Sequence, residues 1–437
     1  MRAVRGPGTL ARATLATVAA ASLVTPLALA QSVTADRERA REILHDIEKD
    51  LRKRYYDPAF RGKDVDAIFA RAGARIGAAT AEGQISGILV QALLDLDDSH
   101  TFFIPPPLSF EVDYGFDLGI VGDRCYVVAV DPGSDAEGQG LRPGTAVLNV
   151  EGVTPNRENL WQIRYALDVA RPRRELRIGT VAQDGTPGNR VVKARVTPPR
   201  RFQDVEDWIV SQAGRGRSRP ARVAALGETV ATLKLDSFDI EEKDVGEALA
   251  SVRGKDGLVL DLRDNPGGAV DALERLVGGL FDREVRIGEE RGRKETRPLV
   301  ARRAPASLAF RGKVVVLVNA TSASASEVTA RVVQLERRGA VIGDRTAGAV
   351  MLARRHGYTQ GHRYRFLFYG LSITEADLVM SDGRSLEKEG VVPDEQVLPT
   401  AEDMASGRDP VLARAAQRLG VTIDATAAGK LFPRRPW

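Results

Sequence analysis

At 437 residues the chain exceeds one ordinary core, so two or three domains are expected. With 43% hydrophobic and 28% charged residues it is neither an intrinsically disordered chain nor a polytopic membrane protein. The formal net charge of +4 includes Arg2, Arg5 and Arg12, which lie in a segment expected to be removed. The remainder is near +1, with its arginines interspersed among acids, so no nucleic-acid partner is expected.

Residues 1–30 read as a secretory signal. Arg2, Arg5 and Arg12 form a basic start, Ala13 to Thr25 is small and uncharged, and Ala28-Leu29-Ala30 fits the small-residue cleavage pattern. The apolar run is short for a membrane span and nothing later approaches the length of one. The mature protein is therefore expected to be periplasmic or secreted, without a span. Cys125 is the single cysteine, so no internal disulfide holds the fold; within CYVVAV it reads as a buried hydrophobe.

Residues 31–104 read as a helical region. Ile43, Leu44, Ile47 and Leu51 share one helical face, and Tyr56-Asp57-Pro58 ends it. A second helix is expected from about Asp64 to Gly77 and a third from about Glu82 to Leu96, followed by Asp97-Asp98-Ser99-His100-Thr101. The run Pro105 to Pro107 marks a boundary.

Residues 105–199 read as a β-rich domain. The loop Gly115-Phe116-Asp117-Leu118, the turns Pro132-Gly133-Ser134 and Gly140-Leu141-Arg142-Pro143-Gly144, and the strand Ala146 to Val150 occur in the order of a PDZ domain, which this region resembles. Such a loop captures a peptide terminus on backbone N–H groups, with residues 160–169 as the helix beside the groove.

Residues 200–437 begin with a polar bridge at 214–220 and then alternate strand and helix. Strands are expected at Thr229 to Leu235, Gly257 to Leu262, Lys313 to Asn319 and Ala340 to Gly343. Helices are expected at Ala269 to Phe281 and Ala325 to Arg337, with a last amphipathic helix up to Leu419. This alternation predicts a layered α/β domain with a largely parallel sheet.

The chemistry gathers at Val314 to Glu327. A buried β-branched strand stops at small hydroxylated residues and a helix opens, which is where α/β enzymes set a nucleophile. The first helical N–H groups there face a developing negative charge. Ser322, Ser324 and Ser326 are all candidates on these grounds, and Ser324 with Glu327 also fits a capping box.

Taken together, the helical segment ending in DDSHT, the PDZ-like insert, LVLDLRDNPGG, TSASASE, GDRTAG, EKEGVVPD and DPVL resemble the carboxyl-terminal processing (tail-specific) serine peptidases. That family includes the tricorn core and the interphotoreceptor retinoid-binding repeats. The resemblance implies a crotonase-like αβ catalytic core and a protein or peptide substrate; with neither clustered metal ligands nor a phosphate-binding loop in the sequence, no cofactor or metal is expected. Carried over by motif, Ser324 is the nucleophile, and Ala325 with Gly267 or Gly268 forms the oxyanion hole.

One departure from the family pattern matters. The usual general base is a lysine in T-F-G-K-G, but the matching stretch here is Thr346-Ala347-Gly348-Ala349-Val350. Tricorn-like relatives use histidine instead, which here implies Ser99-His100, with Glu387 as the carboxylate and Glu389 as its neighbour in the same loop. Ser99 is expected to orient the histidine or the glutamate. Lys388, flanked by two acids in sequence, reads as a poor replacement base. Of the other histidines, His45 reads as helix surface, and His356 and His362 have poor spacing for one metal. The alternative function is a non-catalytic relative that binds peptides or apolar ligands.

Overall fold

The computed structural model describes residues 24–107, 110–182, 185–198, 221–362 and 365–433. The basic start of the expected signal and the bridge at 214–220 lie outside these residues. Helix α1 (Val24–Arg54) buries Ile43, Leu44, Ile47 and Leu51, the face that the spacing predicts. It begins ahead of the expected cleavage point at Ala30. Among the described residues no helix is long and apolar enough to cross a membrane. Helix α2 (Val65–Ala78) starts where Asp64 accepts a hydrogen bond from the Ala67 N–H at 2.9 Å, and α3 (Glu82–Leu94) follows. The apolar faces of these helices share one core with Tyr369, Leu371 and Ile373 of a long strand far down the chain.

After α3 come β1 (Phe102–Ile104) and β2 (Glu111–Asp113). An insert then forms a five-stranded antiparallel sheet of β3 (Phe116–Val121), β4 (Arg124–Val130), β5 (Ala146–Val150), β6 (Glu175–Val181) and β7 (Pro187–Lys193), in that spatial order. It carries the short helices α4 (Asp135–Gly138) and α5 (Leu160–Tyr165). Cys125 is buried in the insert's core. Strand β8 (Arg195–Thr197) returns to pair with β2, so a two-stranded neck closes the insert.

The remainder is a layered α/β unit. Strands β9 (Arg222–Leu226) and β10 (Val230–Lys234), helix α6 (Glu242–Val252), strand β11 (Gly257–Asp261) and helix α7 (Val270–Leu280) lead to β12 (Val285–Gly292) and β13 (Thr296–Ala301). Then come β14 (Lys313–Val318), α8 (Ala325–Leu335), β15 (Gly339–Gly343), β16 (Met351–His362), β17 (Arg365–Met380) and β18 (Glu395–Gln396). Helices α9 (Ala401–Ala405), α10 (Pro410–Arg418) and α11 (Ala425–Gly429) end the chain. The main sheet has the order β18-β15-β14-β11-β10-β9 and is parallel except where β9 runs against β10. Its central strands are buried on both faces, which is why they read as unbroken apolar runs.

The expected strands and helices of this region are present, but β9, α6 and a second, antiparallel sheet were not expected. That sheet has the order β1-β17-β12-β13, with β16 beside β17. Strand β12 sets its buried Val285 and Ile287 among arginine, glutamate and glycine, and β16 is rich in arginine, histidine and glycine, so both lack the apolar runs by which the parallel strands are read. HGYTQGH, read as a glycine-rich stretch, is part of β16.

The insert is anchored to the sheet through a buried ion pair, with a longer, more exposed one between Glu158 and Arg345 (3.9 Å) beside it. Arg157 meets Asp344, just beyond β15, at 3.1 Å, with the two side chains 8% and 6% exposed. Arg157 also donates to the Gly122 carbonyl at 2.8 Å, and Gly122 N–H donates to Asp344 at 2.9 Å. Removing one partner of a buried pair strands the other, at a cost of about 3–5 kcal/mol. Arg157→Ala is expected to speed amide exchange at Gly122 and along β3 while protection of β11 and β14 is kept. Unchanged exchange at Gly122 would show that the pair does not anchor the insert.

Candidate active site

The parallel strands β11, β14 and β15 end at one edge of the sheet, where open α/β sheets bind ligands. The loop after β14 turns sharply. Ser322 and Ser326 are fully buried and structurally engaged: Ser322 Oγ donates to the Leu262 carbonyl at 2.8 Å, and Ser326 Oγ to the Asn265 carbonyl at 3.1 Å. Ser324, between them, is partly exposed. Its φ of 52° with ψ of −118° is a conformation that costs a non-glycine residue about 1–3 kcal/mol.

What holds that conformation is Glu327. Its side chain is fully buried and accepts from the N–H groups of Ser324 (3.1 Å), Gly348 (2.8 Å) and Ala349 (2.9 Å), and from the Thr346 hydroxyl. The capping box expected for Ser324 and Glu327 is present. Burial pushes the Glu327 carboxyl up to about 7, against the pull of these four hydrogen bonds. Ser324 N–H also donates to the Ala349 carbonyl at 2.9 Å.

The glycine loop after β11 lies against the serine. A methyl group on Gly267 would stand 2.6 Å from Ser324 Cβ and 3.0 Å from Ala325 N, so only glycine fits. The Gly267 N–H is already taken, because it donates to the Asn265 side chain at 2.9 Å. Gly268 is exposed, and among the described hydrogen bonds neither its N–H nor that of Ala325 has an acceptor. The free donor pair is therefore Ala325 with Gly268, and Gly267 serves close packing.

Ser99-His100 sits in the turn between α3 and β1. Buried Asp98 sets the turn. It accepts from the N–H groups of His100 (2.9 Å) and Thr101 (2.8 Å), and from Tyr55 (2.8 Å) and Thr374 (2.7 Å). Ser99 Oγ donates to Glu387 Oε2 at 2.9 Å and lies 2.7 Å from His100 Nδ1. A hydroxyl has one proton, and this one is given to the carboxylate, so Nδ1 carries the hydrogen and Nε2 keeps its lone pair. Glu387 therefore orients the imidazole through Ser99 and not directly. Burial pushes the His100 pKa down; Asp98 opposes the fall and Arg355 adds to it, which keeps the ring neutral near neutral pH. No hydrogen bond joins His100 to Ser324 among those described.

Glu387 is the buried member of its loop, with a side chain 5% exposed, whereas Glu389 is exposed and pairs with Arg384. Burial pushes the Glu387 pKa up, and the bond from Ser99 opposes this. Val350 N–H also donates to Glu387 Oε2, at 3.0 Å. Lys388 points away to Asp97, at 2.6 Å.

Gly115, Phe116, Asp117 and Leu118 form the approach to β3 and its first residues. Arg164 of α5 pairs with Asp117 at 2.7 Å and donates to the Leu118 carbonyl, which ties this helix to the strand. Farther along, Gly119, Ile120 and Val121 line a small cavity with Asp264, Asn319 and Thr321 of the loops around the serine.

Residues 229–397 match the model of peptidase family S41. Over this segment the chain is similar to peptidase family S41. The tail-specific protease of Haemophilus influenzae is 24% identical over 266 residues, covering 57% of this chain and 36% of that protein. The carboxyl-terminal-processing protease of Synechocystis is 28% identical over 281 residues, covering 63% of this chain and 59% of that one. The chain thus spans less than two thirds of the length of either relative. The fold is similar to that of mature CPAF (TM-score 0.63, 15% identity, 85% of this chain and 96% of that one). It is also similar to the photosystem II D1 C-terminal processing protease (TM-score 0.52, 20% identity, 90% and 99%). The family resemblance read from the motifs is borne out.

In this S41 segment Ala349 stands where the resemblance implies a lysine, and it acts through its backbone, bonding both Ser324 and Glu327. Sequence reasoning missed Asp98 and Asn265, which hold the histidine turn and the glycine loop. Their only signal is an acid or amide at a turn, which many surface turns share. In Glu327→Gln the amide group would face N–H donors, so a stability loss of about 1–3 kcal/mol is expected in urea unfolding. A midpoint equal to that of the parent would show that the clamp carries no stability.

Proposed function

We propose that the chain is an exported serine endopeptidase in which Ser324 attacks, His100 is the base, Glu387 acts through Ser99, and Ala325 and Gly268 hold the oxyanion. One observation carries this reading: consecutive residues join the two halves of the site. The Ala349 carbonyl binds Ser324 N–H, and Val350 N–H binds Glu387, which also accepts from Ser99 beside His100. The names of the tail-specific and carboxyl-terminal-processing relatives support a polypeptide substrate. The antiparallel insert, with its glycine loop ahead of β3 and a helix alongside, supports PDZ-like recognition of peptide termini.

Chemically, Ser324 Oγ bonds to the scissile carbonyl carbon as His100 Nε2 takes its proton. The carbonyl oxygen becomes an oxyanion between the N–H groups of Ala325 and Gly268. The imidazolium returns the proton to the leaving amine, and an acyl-enzyme remains. Water then repeats the sequence to release the acid.

Purified protein is expected to react with a fluorophosphonate probe, and Ser324→Ala and His100→Ala are each expected to abolish labelling. Ser99→Ala is expected to lower kcat by about 10²–10⁴-fold with little change in KM, because the imidazole would lose its tautomer control. A base must be neutral to accept a proton, and the His100 pKa is depressed, so the acid limb of labelling should fall below about pH 6.5. An unlabelled parent, alongside a reactive control hydrolase, would favour the non-catalytic binding protein.

A further inference from the structure

The parallel sheet has a second edge, at the N-terminal ends of β11, β14 and β15 and so at the opposite end of the strands from Ser324. A cavity of about 760 Å³ opens there. Six cations line it, namely Arg253, Lys255, Arg311, Lys313, Arg338 and Arg418, against a single acid, Asp256.

Backbone carbonyls hold most of the cationic heads. Arg338 donates to those of Leu280 (2.6 Å), Gly312 (2.8 Å) and Phe310 (3.3 Å); Arg311 to that of Phe281 (2.5 Å); Lys255 to that of Glu228 (2.5 Å); and Arg253 to that of Ser307 (3.3 Å). A carbonyl orients a guanidinium but does not neutralise it. Of the six, only Arg418 has a carboxylate within 4 Å among the described residues: Glu395, at 3.7 Å. Arg338 is also partly desolvated and lies close enough to Arg311 for the two to repel; both effects pull its pKa below the ordinary arginine value, and Asp282 opposes them in part. Fixed, like-charged guanidiniums around a concavity form a preorganised anion site, since a bound anion relieves the repulsion without any rearrangement.

We propose that this cavity binds a multivalent phosphoryl oxyanion, either a soluble polyphosphate-like molecule or an anionic lipid headgroup. Guanidinium forks match tetrahedral phosphoryl oxygens. The cavity is larger than one phosphate needs, and five cations lack a carboxylate. A phosphoryl chain or headgroup concentrates more charge in such a volume than an acidic peptide and needs no flexible stems to be ordered.

The test is calorimetric titration of the full protein with tripolyphosphate at low and at raised salt. The expected results are saturable binding that weakens with salt, and an affinity about tenfold or more lower in the double variant Arg311→Ala with Lys313→Ala. Lys313→Ala alone keeps the test readable if the double variant does not fold, because among the described residues the Lys313 side chain bonds nothing. Sedimentation with phosphatidylglycerol vesicles, set against phosphatidylcholine vesicles, separates the sources. Selective sedimentation that tripolyphosphate competes away assigns the lipid headgroup, whereas tripolyphosphate binding without sedimentation assigns a soluble ligand. The proposal is overturned by the absence of both kinds of binding, by unchanged binding in the variants, or by equal displacement with oligoglutamate.

Discussion

A single buried carboxylate holds the centre of this molecule in place. Among the described residues Glu327 has no cation paired with it; its charge is met by three backbone N–H groups and a hydroxyl. Those donors come from two loops, one after β14 and one after β15, so one side chain fixes the spacing between two strand ends. The strained backbone at Ser324 persists because this clamp and the Ala349 carbonyl over-determine it. Ala349 takes part in this clamp through its peptide groups alone: its N–H donates to Glu327 and its carbonyl accepts from Ser324 N–H.

The second organising element is the path from Glu387 through Ser99 to His100. Its logic is proton counting: one hydroxyl between a carboxylate and an imidazole donates to the first and so accepts from the second. Asp98 holds the turn that presents this pair, and it does so by joining α1, through Tyr55, to β17, through Thr374. The helical segment is thus the support that aims a side chain, and its packing against the second sheet is part of the site's geometry.

The parallel strands, the helices between them and the helical start were legible because buried strands and amphipathic helices leave strong periodic traces. Ser324, His100 and Glu387 were legible only through motif resemblance, since nothing local distinguishes Ser324 from Ser322 or Glu387 from Glu389. The structure separates them by burial and partners: Ser322 and Ser326 are enclosed, and Glu389 is at the surface. That Gly268 and not Gly267 offers the free N–H is not legible in the sequence, because the Gly267 N–H is taken by a side chain two residues earlier. The second sheet escaped notice because its strands carry charge on a solvent face and find their partners far away in sequence.

The loop from Asp344 to Val350 is attached to the insert through Arg157, to the serine through Ala349 and to Glu387 through Val350. Two of the long-range contacts around it span 187 and 288 residues of chain. Closing loops of that size carries an entropic cost that early folding contacts do not repay, so such pairings form late. The serine turn is local and can form early, while Ser99-His100 meets Glu387 only when distant parts of the chain come together. That order sets the serine turn in place before the Ser99–Glu387 pairing closes across the insert.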